Sequence, residues 1–148
     1  MRTINIRSLL IVSLLLLSGQ IFGQTVAGKW RTIDDKTGKQ KSIVQLEIRG
    51  DQLWGKVIET WADDGVTPTD KLCDKCTGSL KNKRVHGMYI ITGLTQSDKI
   101  WQGKKGILDP NNGKNYDVKI WLEDPNTLAV RGSIGPIGRK QTWTRVKD

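Results

Sequence analysis

Apolar residues recur at every second position of this chain, and that spacing limits the fold more than any other feature. Residues 44–48 read Val-Gln-Leu-Glu-Ile, and residues 116–123 read Tyr-Asp-Val-Lys-Ile-Trp-Leu-Glu. A period of two places one set of side chains against a core and the other towards solvent, as in a half-buried β-strand. No stretch after residue 26 shows the helical period. The sequence therefore predicts an all-β protein.

Turn signals divide the alternating runs into eight strands. Clusters of Gly, Pro, Asn and Asp separate them, and Gly50-Asp51 predicts a tight hairpin. Eight short strands at this spacing indicate an antiparallel barrel or sandwich rather than a parallel sheet. We expect a single up-and-down barrel, a fold that leaves no exposed sheet edge. The predicted strands are 28–34, 42–49, 52–60, 85–92, 99–104, 115–123, 127–133 and 139–146. Glycines inside or beside these runs fit the bulges and the sharp coiling that a small barrel needs; they are Gly55, Gly87, Gly93, Gly103 and Gly132.

The first 23 residues have the pattern of a signal peptide. Arg2 and Arg7 precede an apolar run over 9–17, and small residues lead up to Gly23. The run is shorter than the roughly 20 residues that a membrane span needs. We therefore expect residues 1–23 to be removed, and residues 24–148 to form one exported domain without a transmembrane segment. The expected location is the periplasm or the outside of the cell.

The remaining chain is basic. Removing Arg2 and Arg7 from 24 basic residues leaves 22 against 15 acids, a net charge of about +7. Such a charge favours an anionic surface, such as lipid phosphates or acidic glycans, or serves only as a solvated face. Basic and acidic residues alternate rather than cluster, so nucleic acid is not an expected partner.

The only two cysteines form a C-x-x-C pair, Cys73 and Cys76, within a long predicted connection over 61–83. A zinc site needs four ligands, and His86 is the only further soft ligand. Redox C-x-x-C pairs usually accompany a βαβ pattern, which is absent here. An oxidising compartment favours a structural disulfide that fixes the loop, and a redox enzyme working through this pair, with or without His86, stays open as an alternative.

No other pattern points to catalysis. His86 has no evident nucleophile partner for a triad, and the carboxylates follow no catalytic spacing. Asp109-x-Asn111-x-Gly113 is similar to a calcium loop, but Ile120 stands where that loop needs Glu. The sequence thus predicts no catalytic residues, no cofactor and no metal site, and the 109–113 segment is a turn.

Six tryptophans are numerous for a chain of this length. Trp30, Trp101 and Trp143 are expected in the core. Trp121 falls on the polar face of its strand, so it is either half-exposed or lines a wet cavity. Trp30 follows Gly28 in the first strand, and Arg139 and Arg145 lie in the last strand. First and last strands are neighbours in a closed barrel, where an arginine could stack on Trp30. This layout resembles the first-strand Gly-x-Trp and last-strand arginine of lipocalins.

The chain also resembles a family of exported bacterial proteins, domain of unknown function 2147. The resemblance implies a small exported β-rich domain without an established reaction. Where an aromatic residue is expected after Arg131, this chain has Gly132-Ser133-Ile134-Gly135. The matching segments, in order, are 28–35 (GKWRTIDD), 73–78 (CDKCTG), 106–110 (GILDP), 113–116 (GKNY), 130–132 (VRG) and 138–145 (GRKQTWTR).

These observations predict a non-enzymatic envelope barrel that binds a small apolar or amphipathic ligand, such as a lipid. The candidate ligand contacts are Trp30, Trp121, Arg131 and Arg139. Besides the redox enzyme, the remaining alternative is a structural or partner-binding module that uses its basic surface.

Overall fold

Eight antiparallel strands close into one barrel in the computed structural model, which describes residues 24–147. Each strand pairs with its neighbours in sequence, and β1 pairs with β8. The predicted all-β, eight-stranded antiparallel barrel is confirmed, whereas the predicted signal peptide, residues 1–23, lies outside the described residues. The strands are β1 Gly28–Ile33, β2 Gln40–Arg49, β3 Gln52–Thr60, β4 Tyr89–Ser97, β5 Ile100–Asp109, β6 Lys114–Asp124, β7 Thr127–Ile134 and β8 Ile137–Arg145.

The strand register continues the alternation from strand to strand around the barrel. Trp101 on β5 pairs with Ile120 on β6, which pairs with Val130 on β7, which pairs with Gln141 on β8. Residues directly opposite each other lie on the same face of the sheet. The first three are buried, so this row faces the interior. The predicted core positions Trp30, Trp101 and Trp143 are confirmed as buried.

Two predicted strands have wrong bounds. The strand predicted over 85–92 is β4, which begins at Tyr89 and ends at Ser97. The strand predicted over 99–104 is β5, which continues to Asp109. Gly87 has a φ of +85° and donates its N–H to the Val57 carbonyl, so the chain turns before β4 starts. Gly93 lies inside β4 and Gly103 inside β5, so both strands continue past their glycines.

The predicted bulges are confirmed in part. The ladder shifts register at Gly55, across Gly93, and after Gly103. Gly93 adopts a φ of +61°, which glycine reaches without steric cost. Gly87 lies outside every strand and Gly132 lies in an unbroken ladder, so neither forms a bulge.

Because the strands run alternately up and down, successive connections lie at opposite ends of the barrel. We call one the closed end; it holds the short turns 50–51, 98–99 and 125–126. The other, the open end, holds the connections 34–39, 61–88, 110–113 and 135–136. Among residues 24–147, no helix is long and apolar enough to cross a membrane.

Trp30 and Arg145 seal the closed end. Trp30 is fully buried and donates its indole N–H to the Val26 carbonyl at 2.8 Å. The Arg145 guanidinium lies 4.2 Å from the centroid of that ring, within cation–π range. It also donates to the carbonyl oxygens of Thr25, Ala27 and Pro125 at 2.7–2.9 Å. The prediction that an arginine of the last strand stacks on Trp30 is confirmed, and Arg145 is that arginine.

The 61–88 connection carries the predicted disulfide, Cys73–Cys76, and rests on the β5–β6 turn. Cys73 Sγ lies 3.5 Å from the Pro110 carbonyl oxygen, and Lys71 Nζ donates to the Asn111 side-chain oxygen. A Cβ on Gly113, whose φ is +71°, would overlap the Lys75 carbonyl. Only glycine permits this close approach, so the turn and the disulfide loop fit together as one wall of the open end.

Candidate functional site: a cavity at the open end

A cavity of about 730 Å³ opens between the connections of the open end. This volume falls in the range of small-molecule sites, roughly 300–1,000 Å³. Barrel strands form its walls, and the 61–88 connection covers part of one side through Trp61, Thr69, Lys71 and Val85.

The deep part of the cavity is mainly apolar. Trp143 forms part of this base and is almost fully buried, as is Val130. The side chains come from five strands and from the 61–88 connection, so the base depends on barrel closure and on the docked loop together. The apolar residues that line the cavity include Val57, Val85, Ile90, Ile107, Leu108, Val130 and Trp143.

The mouth is charged but balanced. Four carboxylates and four cations line it, so their formal charges cancel. An apolar base under a polar mouth suits a molecule with an apolar body and a polar end. The charged residues are Asp34, Asp35, Asp63 and Asp109, with Lys36, Lys41, Lys71 and Arg139.

A chain of polar contacts runs from the base to the mouth along β8. Trp143 Nε1 donates to Gln141 Oε1 at 3.3 Å, and Gln141 Nε2 donates to Asp35 Oδ2 at 3.0 Å. The same carboxylate oxygen lies 2.5 Å from the Arg139 guanidinium. These contacts hold Asp35 at the mouth with two donors.

This polar chain spans a gap between two strands. Backbone pairing between β1 and β8 is confined to Trp30 with Arg145 and Arg31 with Thr144, next to the closed end. Towards the open end, Asp35 follows β1 and its contacts with Gln141 and Arg139 connect the two edges. The seam above the closed end is therefore joined by side chains rather than by a ladder of backbone hydrogen bonds.

Two carboxylates at the open end are committed to their own turns. Asp34 accepts hydrogen bonds from the Thr37 N–H, the Lys41 ammonium and the Lys36 N–H, which together lower its pKa to about 2. The Thr67 hydroxyl and the N–H groups of Val66 and Thr67 lower the pKa of Asp64 to about 2 in the same way. Both stay ionised at neutral pH, so they serve the turns and are poor proton donors.

The four predicted contact residues lie in different places. Arg139 lines the mouth. Trp30 is sealed beneath Arg145 at the closed end and does not line the cavity. Trp121, half-buried, lies on the outer face opposite Ala129, and Arg131, exposed, runs along the outer face beside Gly138. The structure thus brings one of the four to the cavity and leaves the other three outside it.

Other residues line the cavity without having been predicted. Gln141 and Trp143 share the inward face of β8 with Arg139, so alternation from Arg139 would have found them. Gly132 pairs with Arg139 and also faces the cavity. A Cβ built at Gly132 would make only ordinary contacts, the nearest at 3.7 Å from Tyr116. Asp35 lies beyond β1, where no periodic signal could have found it.

The cysteines are poorly placed for thiol chemistry. Cys73 and Cys76 are paired and almost completely buried, whereas a reactive thiol needs access to its substrate. His86 is exposed on the same connection. Within residues 24–147, no three His, Cys, Asp or Glu side chains are grouped so that they could hold a metal ion. These observations support a structural role for the disulfide.

Comparison with known proteins identifies the family. The family model described as "Uncharacterized protein conserved in bacteria (DUF2147)" matches residues 28–145. The chain therefore belongs to this bacterial family. No curated protein sequence matches it.

A solved structure is similar in fold. Protein HP1028 from the human pathogen Helicobacter pylori, described as belonging to the lipocalin family, aligns with a TM-score of 0.69. The alignment covers 84% of each chain at 21% sequence identity. At this identity the likeness concerns the fold, which is a lipocalin-like barrel.

Proposed function

We propose that this DUF2147 protein is a non-enzymatic carrier that binds one small apolar or amphipathic molecule in the open-end cavity. The observation that carries the proposal is the 730 Å³ cavity itself, with its apolar base and its polar mouth. Its volume and its largely apolar base match those of small-molecule sites, which are concave and mostly apolar.

The apolar base and the polar mouth suit a ligand with an apolar portion and a polar end. The apolar portion would lie against Val130 and Trp143, where its burial contributes roughly 25 cal/mol per Å². The polar end would lie at the mouth near Arg139 and Asp35. Because both charge signs are present there, Arg139 can meet an anionic head group and Asp35 can accept from a donor group.

We further propose that the carrier works outside the cytoplasm, after removal of residues 1–23. The signal-like pattern of Arg2, Arg7 and the apolar run supports this. The disulfide agrees with it, since oxidising compartments are where such bonds persist.

Native mass spectrometry of protein purified from its own envelope tests the proposal directly. We expect a mass above that of the chain, with the excess lost on denaturation. The complementary assay titrates purified, delipidated protein with palmitate and with an anilinonaphthalene dye. Trp143 lies in the cavity wall, so ligand entry should change tryptophan emission.

A matched pair of variants locates the binding site. Gly132→Phe projects a ring into the cavity from a position without backbone strain, and Ser133→Phe adds the same ring to the outer face of the next residue. We expect Gly132→Phe to weaken dye or palmitate binding at least about tenfold and Ser133→Phe to leave it within about twofold. Equal effects of both variants, or no binding by the wild-type protein to any probe and no co-purified ligand, would contradict the carrier.

A further inference from the structure

Exposed apolar side chains concentrate at one end of the barrel. Among residues 24–147, six large hydrophobic residues are exposed, and five of them belong to open-end connections or their flanks. The sixth, Ile48, lies beside the 50–51 hairpin at the closed end. The five at the open end are Val66, Leu72, Leu80, Ile134 and Ile137.

The β7–β8 hairpin presents the most exposed pair. Ile134 and Ile137 pair with each other across Gly135-Pro136 and are 57% and 80% exposed. Hairpin tips usually carry polar residues, because an apolar side chain there gains nothing from the core. We call Ile134 and Ile137 the hairpin tip.

The 61–88 connection presents cations together with apolar residues. We call residues 71–86 the basic cap; this segment has five basic side chains against one acid, Asp74, and Asp70 just before it pairs with Arg84 at 3.0 Å. Leu72 and Leu80 are exposed among them, at 47% and 38%. The basic residues are Lys71, Lys75, Lys81, Lys83 and Arg84.

The strand order anchors these two features on opposite sides of the ring, and the basic cap extends from its anchor onto the β5–β6 turn. The basic cap joins β3 to β4, and the hairpin tip joins β7 to β8. In a closed ring of eight strands, four strands separate the two junctions in either direction. A flat surface that touches both features therefore extends over part of the cavity mouth.

We propose that this protein docks mouth-first on an anionic lipid bilayer, with the hairpin tip in the interface and the basic cap against lipid phosphates. Long basic side chains that neutralise head groups while nearby apolar residues enter the interface are typical of peripheral membrane surfaces. Charge complementarity favours a bilayer because the cations lie in the same segment as Leu72 and Leu80.

Docking in this orientation goes beyond the carrier function and does not depend on it. It would set the cavity opening at the level of the lipid head groups. A ligand with an apolar body could then pass between bilayer and cavity without crossing water, although vesicle binding by the empty protein would occur without any ligand.

Flotation with vesicles tests the docking. We use delipidated protein with phosphatidylcholine vesicles that contain about a third phosphatidylglycerol, and with pure phosphatidylcholine vesicles. We expect binding to the anionic vesicles at low salt, and loss of most of it at high salt or without phosphatidylglycerol. No binding to anionic vesicles at low salt would overturn the proposal.

Matched variants test the orientation. Ile134→Ser/Ile137→Ser and Lys75→Gln/Lys83→Gln remove apolar and charged contacts at the open end. Ile48→Ser and Lys99→Gln/Lys147→Gln make the same changes at the closed end, where all three side chains are exposed. We expect the open-end variants to lower vesicle partitioning at least about tenfold and the closed-end variants to change it less than about twofold.

An environment-sensitive dye on Ile137→Cys should shift to the blue on anionic vesicles, whereas the same dye on Ile48→Cys should not. Equal losses or equal shifts at the two ends would show binding by net charge alone and would overturn mouth-first docking. Self-association that is abolished by Ile134→Ser/Ile137→Ser, without vesicle binding, would also overturn it, because the hairpin tip would then join two copies of the chain.

Discussion

Arg145 and Arg139 lie six residues apart on the same face of β8, and each connects that strand to the region of β1 by different means. Arg145 stacks on a buried tryptophan and donates to three backbone carbonyls at the closed end. Arg139 meets one carboxylate, Asp35, and its side chain is 64% exposed. The same residue type thus closes one end firmly and leaves the other end loosely joined.

The difference follows from the number of contacts. Arg145 combines three hydrogen bonds to carbonyl oxygens with stacking on a buried ring, so its removal takes away several interactions at once. The ion pair of Arg139 is open to water, which screens the attraction and can replace Arg139 at Asp35. We infer that the closed end is the rigid frame of the barrel and that the open end can vary in sequence and opening.

The largest expected effect is that of Trp30→Ala. Removing a fully buried indole leaves a large cavity, so we expect a loss of about 3–5 kcal/mol in the free energy of unfolding. Chemical denaturation measures it. Trp61→Ala, at the half-buried mouth position, serves as the control with an expected loss of about 1–2 kcal/mol. Equal losses would break the contrast between the two ends.

The second effect compares the arginines themselves. Arg145→Met should lower the free energy of unfolding by about 2–3 kcal/mol, because it removes charge-assisted hydrogen bonds and the cation–π contact. Arg139→Met should change it by less than about 0.5 kcal/mol. Parallel urea titrations of the two variants measure both losses. A large loss of unfolding free energy in Arg139→Met would mean that the seam at the open end is structurally essential.

The third effect tests how the open end is held. Gly113→Ala forces a Cβ against the Lys75 carbonyl at a φ of +71°, so we expect a loss of about 2 kcal/mol. Gly135→Ala is the matched control, since its φ is +56° and nothing lies within 4 Å of the added carbon. Its loss should be about 1 kcal/mol, from backbone conformation alone. Thermal unfolding of both gives the difference, and similar losses would argue against tight docking of the disulfide loop.

The smallest effect is the response to acid. Hydrogen bonds lower the pKa of Asp34 to about 2 from its usual 3.8, so the folded state favours the ionised form. The resulting stabilisation is present above about pH 4 and is lost as the pH falls towards about 2. Asp34→Asn should therefore show a shallower decrease of stability across that window. An unchanged slope in acid titrations followed by circular dichroism would show that the β1–β2 turn does not depend on this carboxylate.

Much of the frame could be predicted from the sequence because its signals are local. Residues 116–123 alternate over eight positions, and the alternation alone gave the correct inward face for Val118 and Ile120. The 50–51 hairpin followed from its glycine. Bounds failed around Gly87 and Gly93, since a glycine can end a strand or produce a bulge within it, and only the partner strand distinguishes the two.

The residues that line the cavity were harder to predict. Trp121 and Arg131 are residue types that are common in binding sites, but they lie on the outward face of their strands. Arg139 alone of the four predicted residues lines the cavity. Asp35 joins the mouth through contacts with Arg139 and Gln141, more than 100 positions away in sequence. Local patterns cannot reveal a contact over that separation.

The amino-acid sequence by itself determined the β-strands, their approximate number, the disulfide loop and a barrel closed by a tryptophan near the start and an arginine near the end. Each depends on side-chain periodicity, turn chemistry or residue type, which neighbouring residues fix. The tertiary structure decided which arginine closes the barrel, which side chains line the cavity and which connections share its open end. Those outcomes depend on the register with which β8 meets β1 and on the docking of 61–88 against the β5–β6 turn. Both are set by packing between segments that are distant in the chain.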